Sequence, residues 1–264
     1  MKILILGDIV GRPGRKFLSD YLANYKNIEK IDFCLANGEN AAGGAGITAK
    51  TAHEIIGAGV DAITLGDHVW DQKNFENEID QLDFICRPAN LPESNPGRKF
   101  LIREVNGLKV GVFTVLGRTF MGPKVDCPFL VADRMIEEIQ TESDIILCEI
   151  HAETTSEKIS LGWHLEGRVA MVYGTHTHVP TADGRILPQG SGFQCDLGMT
   201  GPRHSVLGRS IEACIGRFMD GMPRKCPVAE EDIGMQGCVL EFDEKQPKFP
   251  LSFRQIDYRE ADIG

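Results

Sequence analysis

The stretch Gly174-Thr175-His176-Thr177-His178 follows an apolar run over residues 169–173 that is typical of a buried strand. Successive side chains of a strand alternate between its two faces, so histidines two residues apart share a face and can reach neighbouring points in space. Alone, such a pair is weak evidence, because a strand-terminal pair held by backbone hydrogen bonds is the ordinary interpretation. The same pattern recurs elsewhere in the chain, and this recurrence favours a functional site.

Four further apolar runs end in potential metal ligands. The ligands are Asp8 after residues 4–7, Glu39 and Asn40 after residues 33–38, Asp67 beside His68 after residues 62–66, and His151 after residues 145–150. The carboxyl ends of parallel strands meet at one edge of a sheet, where α/β proteins assemble their sites. The sequence therefore predicts one site built from five strand ends.

The seven candidate ligands offer oxygen and nitrogen atoms and no thiolate; they are Asp8, Glu39, Asn40, Asp67, His151, His176 and His178. Mixed oxygen and nitrogen ligation suits iron or manganese, with zinc as an alternative. Seven ligands are too many for one tetrahedral ion and suit two transition-metal ions that share a carboxylate, for which Glu39 is our choice. Two ions about 3.5–4 Å apart can hold a bridging hydroxide and bind the phosphoryl oxygens of a substrate.

His68 follows Asp67 directly, so the two side chains should diverge. We interpret His68 as the catalytic proton donor to a leaving alkoxide. The alternative is that Asp67 and His68 cap the next helix; we expect Asp71 to be the better cap, for a helix from Gln72 onward.

The composition limits the class of protein. The 264 residues carry a net charge of −10, which argues against a duplex nucleic-acid or anionic membrane surface and leaves a small phosphodiester or other anionic substrate open when cations are bound. Eight cysteines without a C-x-x-C pair, and an N-terminus without a signal-peptide pattern, indicate a reducing, cytoplasmic setting. We expect a single domain over residues 1–264, and the sequence leaves assembly into a homo-oligomer open.

Helix-like and strand-like segments alternate over the first two-thirds of the chain, as in βαβ units. Helical spacing of apolar residues predicts helices within 18–25, 51–56, 75–79, 131–139 and 211–219. Residues 237–242 and 249–254 look like strands of an added antiparallel hairpin.

A competing motif lies over residues 4–14, where a strand is followed by Gly7, Gly11 and Gly14. It superficially resembles a phosphate-binding loop. It lacks the Gly-Lys-Ser/Thr ending, its glycine spacing is not G-x-G-x-x-G, and Asp8 would repel a phosphate in the absence of a metal. A nucleotide loop is therefore the weaker interpretation.

Taken together, these motifs resemble those of the calcineurin-like metallophosphoesterases and, within them, the bacterial YmdB-like branch. The resemblance runs over nearly the whole chain. Besides the ligand segments, it is carried by Arg87-Pro88-Ala89-Asn90, Gly117-Arg118-Thr119-Phe120, His151-Ala152-Glu153, Thr154-Thr155-Ser156-Glu157-Lys158 and Met199-Thr200-Gly201-Pro202.

The resemblance implies an α/β fold, a four-layer α/β/β/α sandwich of two mixed sheets flanked by helices. It implies that one metal is held by Asp8, Glu39, Asn40 and His178, the other by Glu39, Asp67, His151 and His176, and that His68 is the proton donor. The activity it implies is hydrolysis of 2′,3′-cyclic nucleotides, with 3′,5′-cyclic nucleotides as a second class. A broad phosphomonoesterase and a regulatory metal-binding protein with little turnover stay open as alternatives.

One residue departs from the pattern of the branch, which usually has Asn-His where this chain has Asp67-His68. The added negative charge should bind cations more tightly and make them weaker Lewis acids. Arg118, Phe120 and Trp163 are further candidates for contact with the substrate, although each is equally compatible with packing.

Overall fold

The computed structural model describes residues 1–260, in which strands and helices alternate as the sequence predicts. The strands are β1 (Lys2–Ile9), β2 (Phe33–Asn37), β3 (Ala62–Thr64), β4 (Ile85–Cys86), β5 (Phe100–Val105), β6 (Leu108–Leu116), β7 (Ile145–His151), β8 (Met171–Thr175), β9 (Arg185–Ile186), β10 (Gly192–Gln194), β11 (Met199–Pro202), β12 (Ile233–Glu241) and β13 (Ser252–Arg259). The helices are α1 (Gly11–Glu29), α2 (Ala49–Gly57), α3 (Phe75–Glu78), α4 (Pro128–Ile139), α5 (Thr155–Leu165) and α6 (Ile211–Asp220).

The strands form two mixed sheets. The first has the order β13-β12-β11-β1-β2-β3-β4 and the second the order β5-β6-β7-β8-β10-β9. β1 to β4 run parallel in the first sheet, and β6, β7, β8 and β10 run parallel in the second. The carboxyl ends of each parallel set therefore share one edge of their sheet.

Alternation along the strands produces three apolar layers. On β1, Ile3 and Ile5 pack between the sheets, together with Leu147 of β7. Leu4 and Leu6 face the opposite way, into the layer that also contains buried residues of α1 and α2. A third layer lies between the second sheet and helices α4 and α5. The result is the four-layer α/β/β/α sandwich that the resemblance implies.

Most expected elements are confirmed, and the differences have local causes. The C-terminal strands pair antiparallel and extend the first sheet, but they span Ile233–Glu241 and Ser252–Arg259, so the second lies further along the chain than expected. The β5–β6 hairpin turns at Asn106-Gly107, both at positive φ, a turn signal that the strand expectations did not use. The spacing of apolar residues does not predict helix α5, because its buried face includes Lys158 and Gly162, which are not apolar side chains.

Within residues 1–260, no helix is both long and apolar enough to cross a membrane.

Candidate metal centre

Four of the predicted ligands converge where the two sheets meet. Glu39, Asp67, His151 and His176 each offer one ligand atom, and these atoms lie within 4.8 Å of one another. The Nε2 atom of His151 is 2.9 Å from Asp67 Oδ1 and 3.2 Å from Glu39 Oε1. The Nδ1 atom of His176 is 3.2 Å from both His151 Nε2 and Asp67 Oδ1. Ligands from β2, β3, β7 and β8 thus surround one point.

This geometry fits a metal ion. Zinc and similar ions lie about 2.0–2.2 Å from nitrogen and oxygen ligands, so neighbouring ligands on one ion are roughly 3 Å apart. The closest pairs in this group have that spacing. Gly66 leaves room for the arrangement: a Cβ atom there would lie 2.2 Å from Glu39 Oε2 and 2.4 Å from His151 Nε2. The glycine before Asp67 is therefore required by the close approach of two ligands.

The other three predicted ligands form an adjoining group. Asn40 Nδ2 is 3.2 Å from His178 Nε2, and His178 Nε2 is 3.9 Å from Asp8 Oδ1. Asp8 is fully buried, and its Oδ1 atom has no hydrogen-bond partner within residues 1–260. A buried carboxylate oxygen without a donor is costly, so this atom suits a cation. As placed, Asn40 presents its amide nitrogen to the group, and a half-turn of the amide would present the oxygen as a ligand.

Glu39 lies between the two groups. Its Oε1 atom contacts His151 on one side and accepts a hydrogen bond of 2.9 Å from Asn40 Nδ2 on the other. Its Oε2 atom accepts from the backbone amide of His68 at 3.0 Å. This is the position that a carboxylate shared by two cations would need.

The electrostatics also reflect a site with excess negative charge. Burial raises the pKa of Asp8 to about 8, with His151 opposing the shift and Glu39 adding to it. Burial disfavours the charged form of His151, but the carboxylates around it outweigh burial and raise its pKa well above the ordinary value. Burial likewise acts to raise the pKa of Asp67, and the two histidines outweigh it and lower that pKa. In the absence of cations, Asp8 and His151 therefore retain protons at the positions where cations would bind.

Both ligands of the His176-Thr177-His178 segment have left-handed backbones, with φ of 92° and 61°. Such strain persists only where the surroundings enforce it. Asp196 does so: its Oδ2 atom accepts from the Thr177 amide at 3.1 Å and from the Thr177 hydroxyl at 2.7 Å. The buried Lys158 ammonium neutralises Asp196 at 2.7 Å.

Within residues 1–260, the side chain of His68 makes its hydrogen bond with Asp71 and with none of the predicted metal ligands. Its Nδ1 atom is 2.7 Å from Asp71 Oδ2, and 38% of its side chain is exposed. Burial opposes protonation of His68, but Glu39, Asp71 and Asp67 outweigh it and raise its pKa. The expectation that Asp71 caps a helix from Gln72 is wrong: α3 begins at Phe75, and the Asp71 carboxylate binds His68 instead.

The segment 117–120 borders the cluster. The Gly117 amide donates to the His151 carbonyl at 2.9 Å, and the Glu157 carboxylate accepts from the amides of Arg118 and Thr119 at 3.0–3.2 Å. Phe120 follows with φ of 61° and 87% of its surface exposed. Trp163 lies in α5, and no hydrogen bond or ring contact within residues 1–260 connects it with the cluster.

The phosphate-loop alternative is not supported by the backbone of residues 10–14. The amides of Val10, Gly11 and Gly14 donate to Thr200 O, Asn40 O and Val10 O, so they are not free to bind a phosphate.

Sequence reasoning assigned no supporting role to the residues that hold the predicted site residues in place. They are Asp71, Asp196 with Lys158, Glu149, and Glu153, whose Oε2 atom is 3.2 Å from His176 Nε2. Charged residues inside apolar strands, such as Glu149 in β7, are the signal that could have found them, because unpaired burial of a charge is costly.

Known proteins resemble this chain over almost its entire length. The model of the family described as "YmdB-like protein" matches residues 4–251. A Bacillus subtilis (strain 168) protein named 2′,3′-cyclic-nucleotide 2′-phosphodiesterase is 44% identical over 248 residues, 94% of each chain.

Two solved structures share the fold. A hypothetical protein from Thermus thermophilus superposes with a TM-score of 0.91 at 37% identity, covering 98% of this chain and 100% of that one. A structure described as a novel phosphatase from Mycoplasma pneumoniae has a TM-score of 0.90 at 33% identity, covering 98% and 93%. With the ligand clusters, the family match and these likenesses in agreement, the chain belongs to the YmdB-like protein family.

Proposed function

We propose that this protein is a metal-dependent phosphodiesterase that opens 2′,3′-cyclic nucleotides at a dinuclear centre. The observation that carries the proposal is the convergence of the seven predicted ligands in two adjoining groups with Glu39 between them. Asp8, Asn40 and His178 would hold one cation, and Asp67, His151 and His176 the other. The activity named for the Bacillus subtilis relative supports the substrate class.

The oxygen and nitrogen ligands favour iron or manganese, with zinc as the alternative. When bound, such ions supply Lewis acidity toward phosphoryl oxygens and lower the pKa of coordinated water. The eight free cysteines, six of them buried, suit a reducing compartment.

The proton for the leaving group is supplied by a side chain of the protein, His68. Asp71 occupies His68 Nδ1, so Nε2 is the nitrogen left to give a proton to the departing ribose oxygen. Cleavage breaks one phosphorus–oxygen bond of the cyclic diester, water adds to phosphorus, and the released alkoxide takes the proton. The product is a nucleoside monophosphate.

We assign binding of the nucleoside to the loop after β6, residues 117–120. The Gly117 amide donates to the His151 carbonyl, Glu157 accepts from the Arg118 amide, and Phe120, which follows in the same loop, is exposed rather than packed in the core. An exposed aromatic ring in this position offers a stacking surface for a nucleobase.

The test is a substrate panel on protein reconstituted with manganese or iron. We expect hydrolysis of 2′,3′-cyclic AMP, slower hydrolysis of 3′,5′-cyclic AMP, and loss of both after chelation with recovery on adding metal. Hydrolysis of monoesters alone would show a phosphomonoesterase instead. No hydrolysis of any ester, including bis-(p-nitrophenyl) phosphate, by protein that holds its metals would favour a regulatory metal-binding protein.

A further inference from the structure

We infer that Glu149, Thr175 and Asn37 form a buried positioning network that sets the proton on His151 and holds Glu39 in place. The inference rests on the proposed metal centre, and it concerns residues that do not themselves face the cluster. They lie beneath it, between the ligand from β2 and the ligand from β7.

Glu149 is the centre of this network. It is fully buried, and its Oε1 atom accepts hydrogen bonds from Thr175 Oγ1 and, at 2.6 Å, from Asn37 Nδ2. Its Oε2 atom is 3.4 Å from the Tyr173 hydroxyl. Within residues 1–260, no lysine or arginine forms an ion pair with Glu149, and the imidazole of His151 lies 3.8 Å from its Oε1 atom. A carboxylate so costly to bury needs a role beyond packing.

The donors and acceptors of the network determine which ring nitrogen of His151 carries a proton. A carboxylate only accepts hydrogen bonds, so Thr175 must give its single hydroxyl proton to Glu149. The Thr175 oxygen then faces His151 Nδ1 at 2.8 Å as an acceptor. This contact is much shorter than the 3.5 Å between Asn37 Nδ2 and the same nitrogen, so it places a proton on Nδ1. Neutral His151 is thereby held with its Nε2 lone pair directed at the cluster. Hydrogen bonds to the second ring nitrogen commonly orient metal-binding histidines in this way.

The Glu149 carboxylate also positions Glu39, the predicted ligand that follows β2 in the first sheet. With Nδ2 of Asn37 donating to Glu149, the side-chain oxygen of Asn37 is the atom that accepts from the Glu39 amide, at 2.9 Å. One buried carboxylate therefore orients His151 from β7 and the start of the Glu39 segment from β2. This explains why a charge is buried at the junction of the two sheets.

The test compares three threonine variants. Thr175→Val keeps the shape and removes the hydroxyl, Thr175→Ser keeps the hydroxyl, and Thr114→Val is the matched control. Thr114 is a fully buried threonine of β6 that is paired in register with Glu149, and its hydroxyl has no hydrogen-bond partner in the described part of the chain.

Metal retention is measured by titration with a competing chelator, and the protonated nitrogen of His151 by ¹⁵N NMR of zinc-loaded protein. We expect Thr175→Val to lose about 10–100-fold in metal affinity, the usual worth of such a partner. Thr175→Ser and Thr114→Val should retain wild-type affinity and the Nδ1–H form. Thr175→Val that binds metal as tightly as Thr114→Val would overturn the inference.

A second variant decides the matter if Thr175→Val does not fold. Glu149→Met keeps a similar volume but removes the acceptor, which frees the Thr175 hydroxyl to donate to His151 Nδ1 and disfavours a proton on that nitrogen. Unchanged metal affinity in Glu149→Met would contradict the inference. Neither readout requires turnover, so a wild-type protein that binds metals and cleaves no cyclic nucleotide would refute the proposed function alone.

Discussion

The His151 Nε2 atom lies 2.9 Å from Asp67 Oδ1, although the two residues belong to different sheets. Asp67 follows β3 of the first sheet and His151 ends β7 of the second. The cluster therefore exists only when the two sheets are packed against each other. A metal held by both residues binds the folded chain and not the unfolded one, so it should raise the free energy of unfolding.

Metal content gives the first prediction. Protein purified without chelators should contain close to two transition-metal ions per chain by elemental analysis, and His176→Ala should lose at least one. His204→Ala is the control, because His204 is exposed and pairs with Glu231 at the surface. Wild-type protein that holds no transition metal even after reconstitution would refute the dinuclear centre.

The role of His68 gives the second prediction. His68→Ala should keep its metals and lose roughly 10²–10⁴ in kcat, the usual worth of a general acid. The loss should be smaller for p-nitrophenyl esters, whose leaving group needs little protonation. A loss of equal size for all leaving groups, or a loss of metal, would remove the proton-donor assignment.

Asp67 gives the third prediction, on pH dependence. Its charge favours the imidazolium form of His68 and raises that pKa, as does the larger effect of Glu39. The charge of Asp67 should also make the cations weaker Lewis acids and so raise the pKa of the water bound to them. Asp67→Asn removes only the charge, so it should lower the pH optimum and loosen one metal. Superimposable profiles of kcat/KM against pH for the two proteins would contradict this.

Asp8 gives the fourth prediction, on the metal-free protein. Burial raises the pKa of Asp8 from its ordinary 3.8 to about 8. Between these values the folded chain keeps a proton that the unfolded chain has released, so the contribution of Asp8 to stability falls as the pH rises.

Asp8→Asn removes this loss of stability at higher pH. It also keeps a side-chain oxygen that can accept from the His176 amide, which in the wild type donates to Asp8 Oδ2 at 3.1 Å. At pH 7.5 the metal-free variant should melt several degrees above the metal-free wild type, since about 1 kcal/mol corresponds to about 2–4 °C in a domain of this size. Calorimetry in chelator at pH 5 and pH 7.5 tests this, and the difference should be smaller at pH 5. A variant that melts lower at pH 7.5 would show that the Asp8 carboxylate stabilises the fold.

Phe120 gives the fifth prediction, on substrate recognition. Phe120→Ala should raise KM for 2′,3′-cyclic AMP roughly tenfold, since base–aromatic stacking is worth about 1–3 kcal/mol. The metals and the kcat should change little. Phe218→Ala is the control, because Phe218 of α6 is 86% exposed and lies outside the 117–120 segment. Equal KM values for the two variants would exclude Phe120 from the nucleoside site.

Local sequence patterns determined which side chains are the candidate ligands. An apolar run precedes each of Asp8, Glu39, Asp67 and His151. Such a run predicts a strand even when the neighbouring strands of the sheet are unknown. The ends of parallel strands share an edge, so a site at that edge followed from the same patterns. The four-layer arrangement came from the family resemblance and was then confirmed by the three apolar layers.

Only the tertiary structure decided how these side chains act on one another. Glu39 and Asp67 contact His151 of the other sheet. Glu149 likewise contacts Asn37 and Thr175. All of these contacts join residues that local spacing does not relate. Strand order and the packing of two sheets arise from contacts between residues far apart in the chain, and these contacts set the distances and the burial. Both the proton on His151 and the raised pKa of Asp8 depend on those two quantities, so neither could be deduced from the sequence.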